Sequence, residues 1–401
     1  MRILQLAPLW EAVPPQAYGG TEAVVSILTE ELVKRGHDVV LAASGDSRTD
    51  ATLLATYHRS LRRAEDLTDR NPYDWMHIAM ALKEGRDCDL IHNHAGELAM
   101  AMSHTIDTPM LTTLHCLTTP DTQFIWDRYT GSYNTISKSQ RPPLALRGSR
   151  ARFTGHVYNA IDVESFPFQA EKGDDLLFLS RIAPEKGPQH AVEVAKRLGR
   201  RLILAGKVDA YDRRFFEEVM RDLIDGEQIV FFGEANASQK RELYRNAHCV
   251  LMPLTWEEPF GLVMPEAMAC GTPVIALRRG SAPELIVHGK TGFVVDTVEE
   301  MAEAVSLIGT IDPRACREHV RSHFSPEIMA DAYLRVYDEV LERAEVPKTF
   351  LLGEPDLPEK ESVVALWRNP TDPARYAVRW RICASLTSAL RRWTAASTCT
   401  A

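Results

Sequence analysis

No apolar run in this 401-residue chain approaches the ~18–20 residues needed to cross a bilayer. The opening Met1-Arg2-Ile3-Leu4-Gln5-Leu6-Ala7 is apolar, but Glu11 ends the stretch too early for a secretory leader. It reads as a first buried strand, and the chain is expected in the cytoplasm. Paired cysteines are missing as well. Cys88, Cys116, Cys249, Cys270, Cys316, Cys383 and Cys399 are odd in number and never stand as Cys-x-x-Cys, against both a disulfide framework and a zinc site. Neither Gly-x-Gly-x-x-Gly nor Gly-x-x-x-x-Gly-Lys-Ser/Thr occurs, so dinucleotide oxidoreductases and nucleotide triphosphatases lose ground. Positive charge is not in excess: the net charge of −9 argues against nucleic acid as a partner. Acids are absent from two stretches, however. Residues 137–153 hold Lys138, Arg141, Arg147, Arg150 and Arg152, and residues 375–401 hold Arg375, Arg379, Arg381, Arg391 and Arg392 beside Trp380 and Trp393. Peripheral contact with anionic headgroups at the inner membrane face is one expectation for them. A solvated loop and tail is the other.

What is present is a rhythm of short apolar runs, turns and amphipathic stretches, in a chain long enough for two ordinary domains. Strand-like runs fall at 2–7, 38–43, 89–92 and 109–115, and a helix is expected from Thr21 to Arg35, closed by Gly36. Residues 44–75 and 117–150 give no readable pattern. A polar break at 163–174 reads as a linker, in which Lys172 is expected to be neutral to turnover. The rhythm restarts with runs at 176–180, 201–206, 228–232, 248–252 and 272–276, separated by helical stretches near 187–198, 212–224, 238–246 and 263–270. Helical segments at 297–308 and 326–344 follow, and prolines break the pattern after 347. Strands alternating with helices predict an α/β protein with two doubly wound, Rossmann-like parallel sheets.

The most informative stretch runs from Glu257 to Pro273. Pro265 fits only the first turn of a helix, so that helix is expected to begin near Val263 and stop at Gly271. Phe260, Gly261 and Leu262 then precede a helix N-terminus, where amides and the dipole attract phosphate. Glu258 and Glu266 flank the turn, one suited to a sugar and the other to ribose hydroxyls; the bland alternative is acids that complement a helix dipole. Arg181 and Lys186 lie on the loop after the first strand of the second half, where a planar fork and a compact charge suit a diphosphate. Gly19 and Gly20 precede the first helix, either to bring the backbone close to a phosphate or acceptor or as a flexible turn. His115 ends a strand at its carboxyl side, where ligands bind in open α/β sheets. His92 and His94 end the run before it, with no acidic cluster to make them a metal pair.

At these residues the sequence resembles glycosyltransferase family 4, the retaining enzymes of GT-B fold. Glu258-Pro-Phe-Gly-Leu, Pro265-Glu266-Ala and Gly271-Thr-Pro273 carry the likeness most specifically. Gly-Gly-Thr-Glu at 19–22, Arg-Gly-His-Asp-Val at 35–39, Tyr-Asn-Ala-Ile-Asp at 158–162 and Gly-Lys-Thr-Gly-Phe at 289–293 agree in order and spacing. The resemblance implies an acceptor-side domain at 1–165, a nucleotide-sugar domain at 166–322, a helix crossing back at 323–346 and a tail of unknown structure at 347–401. It implies that Arg181 and Lys186 bind the donor diphosphate, Glu266 the ribose, and the main chain of Phe260, Gly261 and Leu262 the phosphates. Glu258 and His115 would face the sugar, and Gly19 and Gly20 would close on the diphosphate. The implied reaction is hexosyl transfer from a nucleotide-diphosphate sugar to an unidentified acceptor, with retention and with neither metal nor cofactor. The alternatives are another GT-B activity, such as an epimerase or phosphorylase, and a catalytically silent sugar-nucleotide binder. Lys207-Val208-Asp209, after Gly206, departs from the glycine-rich turn of many relatives.

Overall fold

Four- and five-residue apolar runs buried on both faces are what a parallel sheet between helical layers requires. The computed structural model, which describes residues 1–140 and 151–344, builds two such sheets. The first holds β1 (Arg2–Leu6), β2 (Asp38–Ala43), β3 (Thr52–Ala55), β4 (Leu90–Asn93), β5 (Met110–Leu114), β6 (Ser132–Thr135) and β7 (Arg152–His156), in the spatial order β3-β2-β1-β4-β5-β6-β7. The second holds β8 (Leu176–Leu179), β9 (Leu202–Ala205), β10 (Ile229–Gly233), β11 (Cys249–Met252), β12 (Val274–Leu277) and β13 (Gly292–Val295), in the order β10-β9-β8-β11-β12-β13. The pairings are parallel throughout.

Helices α1 (Gly20–Lys34), α2 (Asn71–Glu84), α3 (Glu97–Met102) and α4 (Gln123–Trp126) belong to the first lobe. The second carries α5 (Pro188–Leu198), α6 (Arg213–Phe215), α7 (Ala237–Asn246), α8 (Val263–Ala269), α9 (Ala282–Leu285), α10 (Val298–Leu307) and α11 (Pro313–His323), and α12 (Pro326–Glu342) follows. The α/β architecture with two Rossmann-like sheets is therefore the one observed.

Strand order decides where a site can form. β2 and β4 flank β1 on opposite sides, and β9 and β11 flank β8 in the same way. Loops leaving β1 and β4 therefore part in opposite directions, as do those leaving β8 and β11, and each pair opens a crevice at the carboxyl ends of the strands.

The last described helix joins the two lobes. Met329, Ala330, Tyr333, Val336, Tyr337 and Val340, spaced by three and four, form one buried stripe on α12. That stripe packs with Val24, Leu28 and Leu32 of α1 and with Ile3, Leu90 and Leu111 of the first sheet. Arg35 holds the start of α12 by pairing with Asp331 and donating to the Glu327 carbonyl at 3.0 Å.

Several elements depart from the apolar pattern. β3 and β6 lie in the stretches without a readable rhythm. β6, Ser-Tyr-Asn-Thr, is buried along its whole length, because polar side chains in a buried strand need partners and these have them. Asn134 donates to the Thr135 carbonyl at 3.2 Å, and the Thr135 hydroxyl donates to the Ser137 carbonyl at 2.9 Å. β7 is an edge strand with half-exposed residues, so burial imposes little pattern on it. The expected basic surface lies mostly outside the described residues, since it depends on 141–150 and on the tail with Trp380 and Trp393. Among the described residues no helix is long and apolar enough to cross a membrane.

Because Met329 fills the seam between α12 and the first lobe, Met329→Ala is expected to lower stability by about 2–4 kcal/mol, read as the urea midpoint of the circular dichroism signal. An unchanged midpoint would mean that this stripe does not hold the crossing helix.

Candidate active site

The loops at the two crevices carry the residues singled out from sequence. Gly187 follows the β8 loop with φ of 72°, and a Cβ there would stand 2.0 Å from the Pro253 carbonyl oxygen. Only glycine lets the β8 loop lie against the β11 loop at this point.

Lys186 and Glu258, 72 positions apart in sequence, meet where these loops touch. Lys186 Nζ stands 2.5 Å from Glu258 Oε2, and Trp256 Nε1 donates to the same oxygen at 3.1 Å. The ammonium also lies 4.4 Å from the centre of the Trp256 ring. Glu258 is buried, so its charge depends on these two partners.

Arg181 has a different environment. Its guanidinium pairs with Asp212 at 2.6 Å, with Glu185, and with Asp209 at 3.9 Å. Burial works against its charge, but Glu185 and Asp212 outweigh that and raise its pKa. Lys207 pairs with Asp209 at 3.0 Å and lies 3.8 Å over the ring of Tyr18, which comes from the first lobe. The departure Lys207-Val208-Asp209 thus enters the site itself.

The turn before α8 has the expected start, with helix from Val263. Gly261 has φ of 77°, and a Cβ there would press to 2.8 Å on Met264 Cε and 3.2 Å on Glu258 Cγ. Phe260 is buried, and its carbonyl accepts the Ser281 hydroxyl at 2.6 Å. Across the cleft, a Cβ on Gly20 would lie 3.5 Å from Leu262 Cδ1, so the paired glycines of the first lobe face the α8 turn of the second.

Glu266 faces α7. Its two oxygens take Lys240 Nζ at 2.7 Å and the Tyr244 hydroxyl at 2.9 Å. Lys172, expected to be neutral to turnover, is half-buried: its Nζ donates to the carbonyls of Arg245 at 3.1 Å and Cys270 at 2.8 Å. Burial brings its pKa down to about 8. Cys270 closes α8, so Lys172 braces the helix that carries Glu266 and is no neutral control.

His115 and His94 come together: His94 Nδ1 lies 2.8 Å from His115 Nε2. Burial lowers the pKa of both rings, that of His115 to about 4. Behind them stand Gln5 and the α12 tyrosines, which the sequence reading did not select. Gln5, an amide inside an apolar run, was the signal available in the sequence, and in the structure it is fully buried.

A second ionisable cluster joins the lobes. Arg62 binds the buried Glu11 at 2.8 Å and both oxygens of Glu234, from the second lobe, at 2.9 Å. Nearby, Glu22 in the first turn of α1 is only 5% exposed. Burial pushes its pKa up to about 7; the Glu11 charge adds to the rise, and backbone donors and Lys207 oppose it. Among the described residues, no three His, Cys, Asp or Glu side chains gather as a metal site.

Comparison with known proteins identifies the family and the fold. The model described as "Glycosyltransferase Family 4" matches residues 18–162, and that described as "Glycosyl transferases group 1" matches 162–317. The chain belongs to this glycosyltransferase family and is a transferase of GT-B fold. It is 26% identical to the glycogen synthase of Mycobacterium tuberculosis strain H37Rv, over 84% of this chain and 94% of that protein. It is likewise 26% identical to the phosphatidyl-myo-inositol mannosyltransferase of Mycobacterium leprae, over 85% and 97%. Among solved structures, a glycosyltransferase involved in avilamycin A biosynthesis superposes with a TM-score of 0.65 at 24% identity, covering 85% of this chain and 98% of that one. Anabaena HepE in complex with UDP superposes with a TM-score of 0.64 at 18% identity, covering 84% and 100%.

The raised pKa of Glu22 fixes the direction of a pH effect. Ionising this carboxyl is harder in the folded chain than at the ordinary value of 4.5, so stability is lost as pH climbs from there through about 7. Glu22→Gln has no charge to desolvate. Its melting temperature relative to the unmodified protein is expected to improve between about pH 5 and about pH 8. A difference that stays flat with pH would place the titration elsewhere.

Proposed function

We propose that this chain moves a hexosyl group from a nucleotide-diphosphate sugar to an acceptor, with retention of anomeric configuration and without a metal. The observation that carries this reading is the contact of Lys186, Glu258 and Trp256 at the carboxyl ends of β8 and β11, with Arg181 on the same β8 loop and Gly20 against Leu262 of the turn that follows Glu258. Departure of a nucleoside diphosphate builds negative charge on phosphate oxygens, and fixed cations near them lower the barrier. Lys186 and Arg181 serve that purpose here, with the turn Phe260–Gly261–Leu262 and Gly19–Gly20 closing around the phosphates. Glu258 holds Lys186 in place and faces the sugar with His115. Glu266, braced by Lys240 and Tyr244, keeps lone pairs for the ribose hydroxyls. A leaving phosphate oxygen takes the acceptor proton, so no protein nucleophile is required. The comparisons support a nucleotide-sugar donor, as HepE was solved with UDP and with UDP-glucose.

Screening nucleotide sugars for hydrolysis and for protection against thermal unfolding identifies the donor. Transfer is then followed in excess chelator, with the product anomer read by nuclear magnetic resonance. Undiminished transfer and a retained anomer support the reading; inversion, or activity restored only by added metal, overturns it.

Lys186→Ala is expected to reduce turnover on the order of 30- to 1,000-fold, since each such contact supplies about 2–4 kcal/mol to the transition state. Arg181→Lys keeps the charge without the fork, so its loss is expected to be smaller than that of Arg181→Ala. Lys83→Ala, on an exposed part of α2, is the control. Near-normal turnover in folded Lys186→Ala would remove the assignment.

A further inference from the structure

Three imidazoles, two side-chain amides and two hydroxyls, one of them Tyr337 of α12, form one chain of hydrogen bonds that ends at His115, and the chain admits a single placement of protons. It is read from the threonine end. The Thr113 hydroxyl has one hydrogen, which it gives to Asn134 Oδ1 at 2.7 Å. Toward His92 Nε2, 2.6 Å away, it therefore accepts, and that nitrogen carries a proton. His92 is fully buried and touches hydroxyls, not carboxylates, so it is neutral and its Nδ1 is bare. Tyr337 accordingly donates its only hydrogen to His92 Nδ1 at 2.7 Å and accepts from Gln5 Nε2 at 3.1 Å.

The same reasoning continues outward. With its nitrogen turned to Tyr337, Gln5 presents Oε1 to His94 Nε2 at 2.8 Å, so that nitrogen is protonated. His94 is neutral, hence its Nδ1 is bare and accepts from His115 Nε2–H at 2.8 Å. His115 in turn is left with Nδ1 as a bare acceptor, to which no hydrogen-bond partner is assigned among the described residues. This end of β5 meets the cleft: the thiol of Cys116, the next residue, feels the charges of Glu22 from the first lobe and of Glu258 and Lys186 from the second.

We propose that Gln5 and His94 are positioning residues that lock His115 in its Nε2–H form, so that it offers the donor sugar an obligate acceptor and selects a sugar with a hydroxyl there. The inference rests on the reading that His115 lies beside the donor sugar. A bare nitrogen accepts from an O–H group, gains nothing from a deoxy carbon and opposes a carboxylate, so neutral hexoses are favoured over deoxy sugars and uronates at that position. A histidine free to change tautomer would accept either a donor or an acceptor. The relay removes that freedom.

The test has two independent readouts. The first is the tautomer of His115 in the full chain, from long-range nitrogen–proton spectra of imidazole-labelled protein, assigned by the signal lost in His115→Gln. A bare Nδ1 is expected. In Gln5→Glu the carboxylate draws the single Tyr337 hydrogen away from His92 Nδ1 and stabilises a doubly protonated His94, which then donates to His115 Nε2 and moves the His115 proton to Nδ1. A protonated Nδ1 in the unmodified protein, or no change in Gln5→Glu, overturns the relay. The second readout is kcat/KM for the identified donor against its singly deoxygenated analogues. One analogue is expected to lose about tenfold or more with the unmodified protein, the scale of one good hydrogen bond. That penalty is expected to shrink below about threefold in Gln5→Glu and in His94→Phe, which keeps the ring volume. An equal penalty in these variants overturns the relay while the donor reading stands. No penalty for any analogue, with donor KM unchanged in His115→Gln, removes His115 from the sugar and the inference with it.

Discussion

A buried charge must be matched where it lies, and the Lys186–Glu258 pair is where this molecule meets that demand most directly. Two loops whose charges stand 72 positions apart in sequence are held at one distance because neither charge is tolerable without the other. Trp256 adds a donor to the carboxylate and a π-face to the ammonium, so the pair is fixed in direction as well as separation. The glycine contacts follow from that closeness. Gly187 lies against the Pro253 carbonyl, so a side chain there would push the two loops apart, and a Cβ on Gly280, in the loop after β12, would stand 2.2 Å from the Glu258 carbonyl oxygen and displace the turn that carries Glu258.

Arg181 stands under the opposite condition. Glu185, Asp209 and Asp212 surround it, and Lys207 shares Asp209, which leaves two cations against three carboxylates. Such a cluster attracts a diphosphate less than a bare guanidinium would. It also keeps the fork oriented while the cleft is empty, since a planar group held at several nitrogens has few other positions. Under the proposed function, the part that strengthens during reaction is then the contact with charge that grows on the leaving group, which is the difference that speeds a chemical step.

Much of this was legible in the sequence, for identifiable reasons. Strands buried on both faces leave continuous apolar runs, so β1, β2, β5, β8, β9, β11 and β12 could be read directly. Pro265 and Gly271 bracket α8 by backbone rules that hold in any context. β6 could not be read, because its burial is made possible by hydrogen bonds to partners elsewhere in the chain rather than by apolar side chains. The site divides in the same way. Residue types named Arg181, Lys186, Glu258 and Glu266, yet only the fold shows that Lys186 and Glu258 touch, that Lys240 and Tyr244 hold Glu266, or that Lys172 is a brace. Pairings over long sequence separations leave no local trace.

The crossing helix shows why scaffold and site cannot be treated apart in this chain. α12 docks on the first lobe through an apolar stripe, and that alone would account for its position. Two of the stripe's members, Tyr333 and Tyr337, are also the polar groups that reach the histidine chain, since Tyr333 lies 3.2 Å from the Thr113 hydroxyl and Tyr337 bonds His92 and Gln5. Phenylalanine at 337 would keep the packing and remove the hydroxyl between Gln5 and His92. Gln5 could then turn its amide, His94 would face an N–H instead of a carbonyl, and the order of protons up to His115 would no longer be fixed. A helix whose sequence begins after the second lobe is thus part of what determines the chemistry offered at a cleft loop of the first.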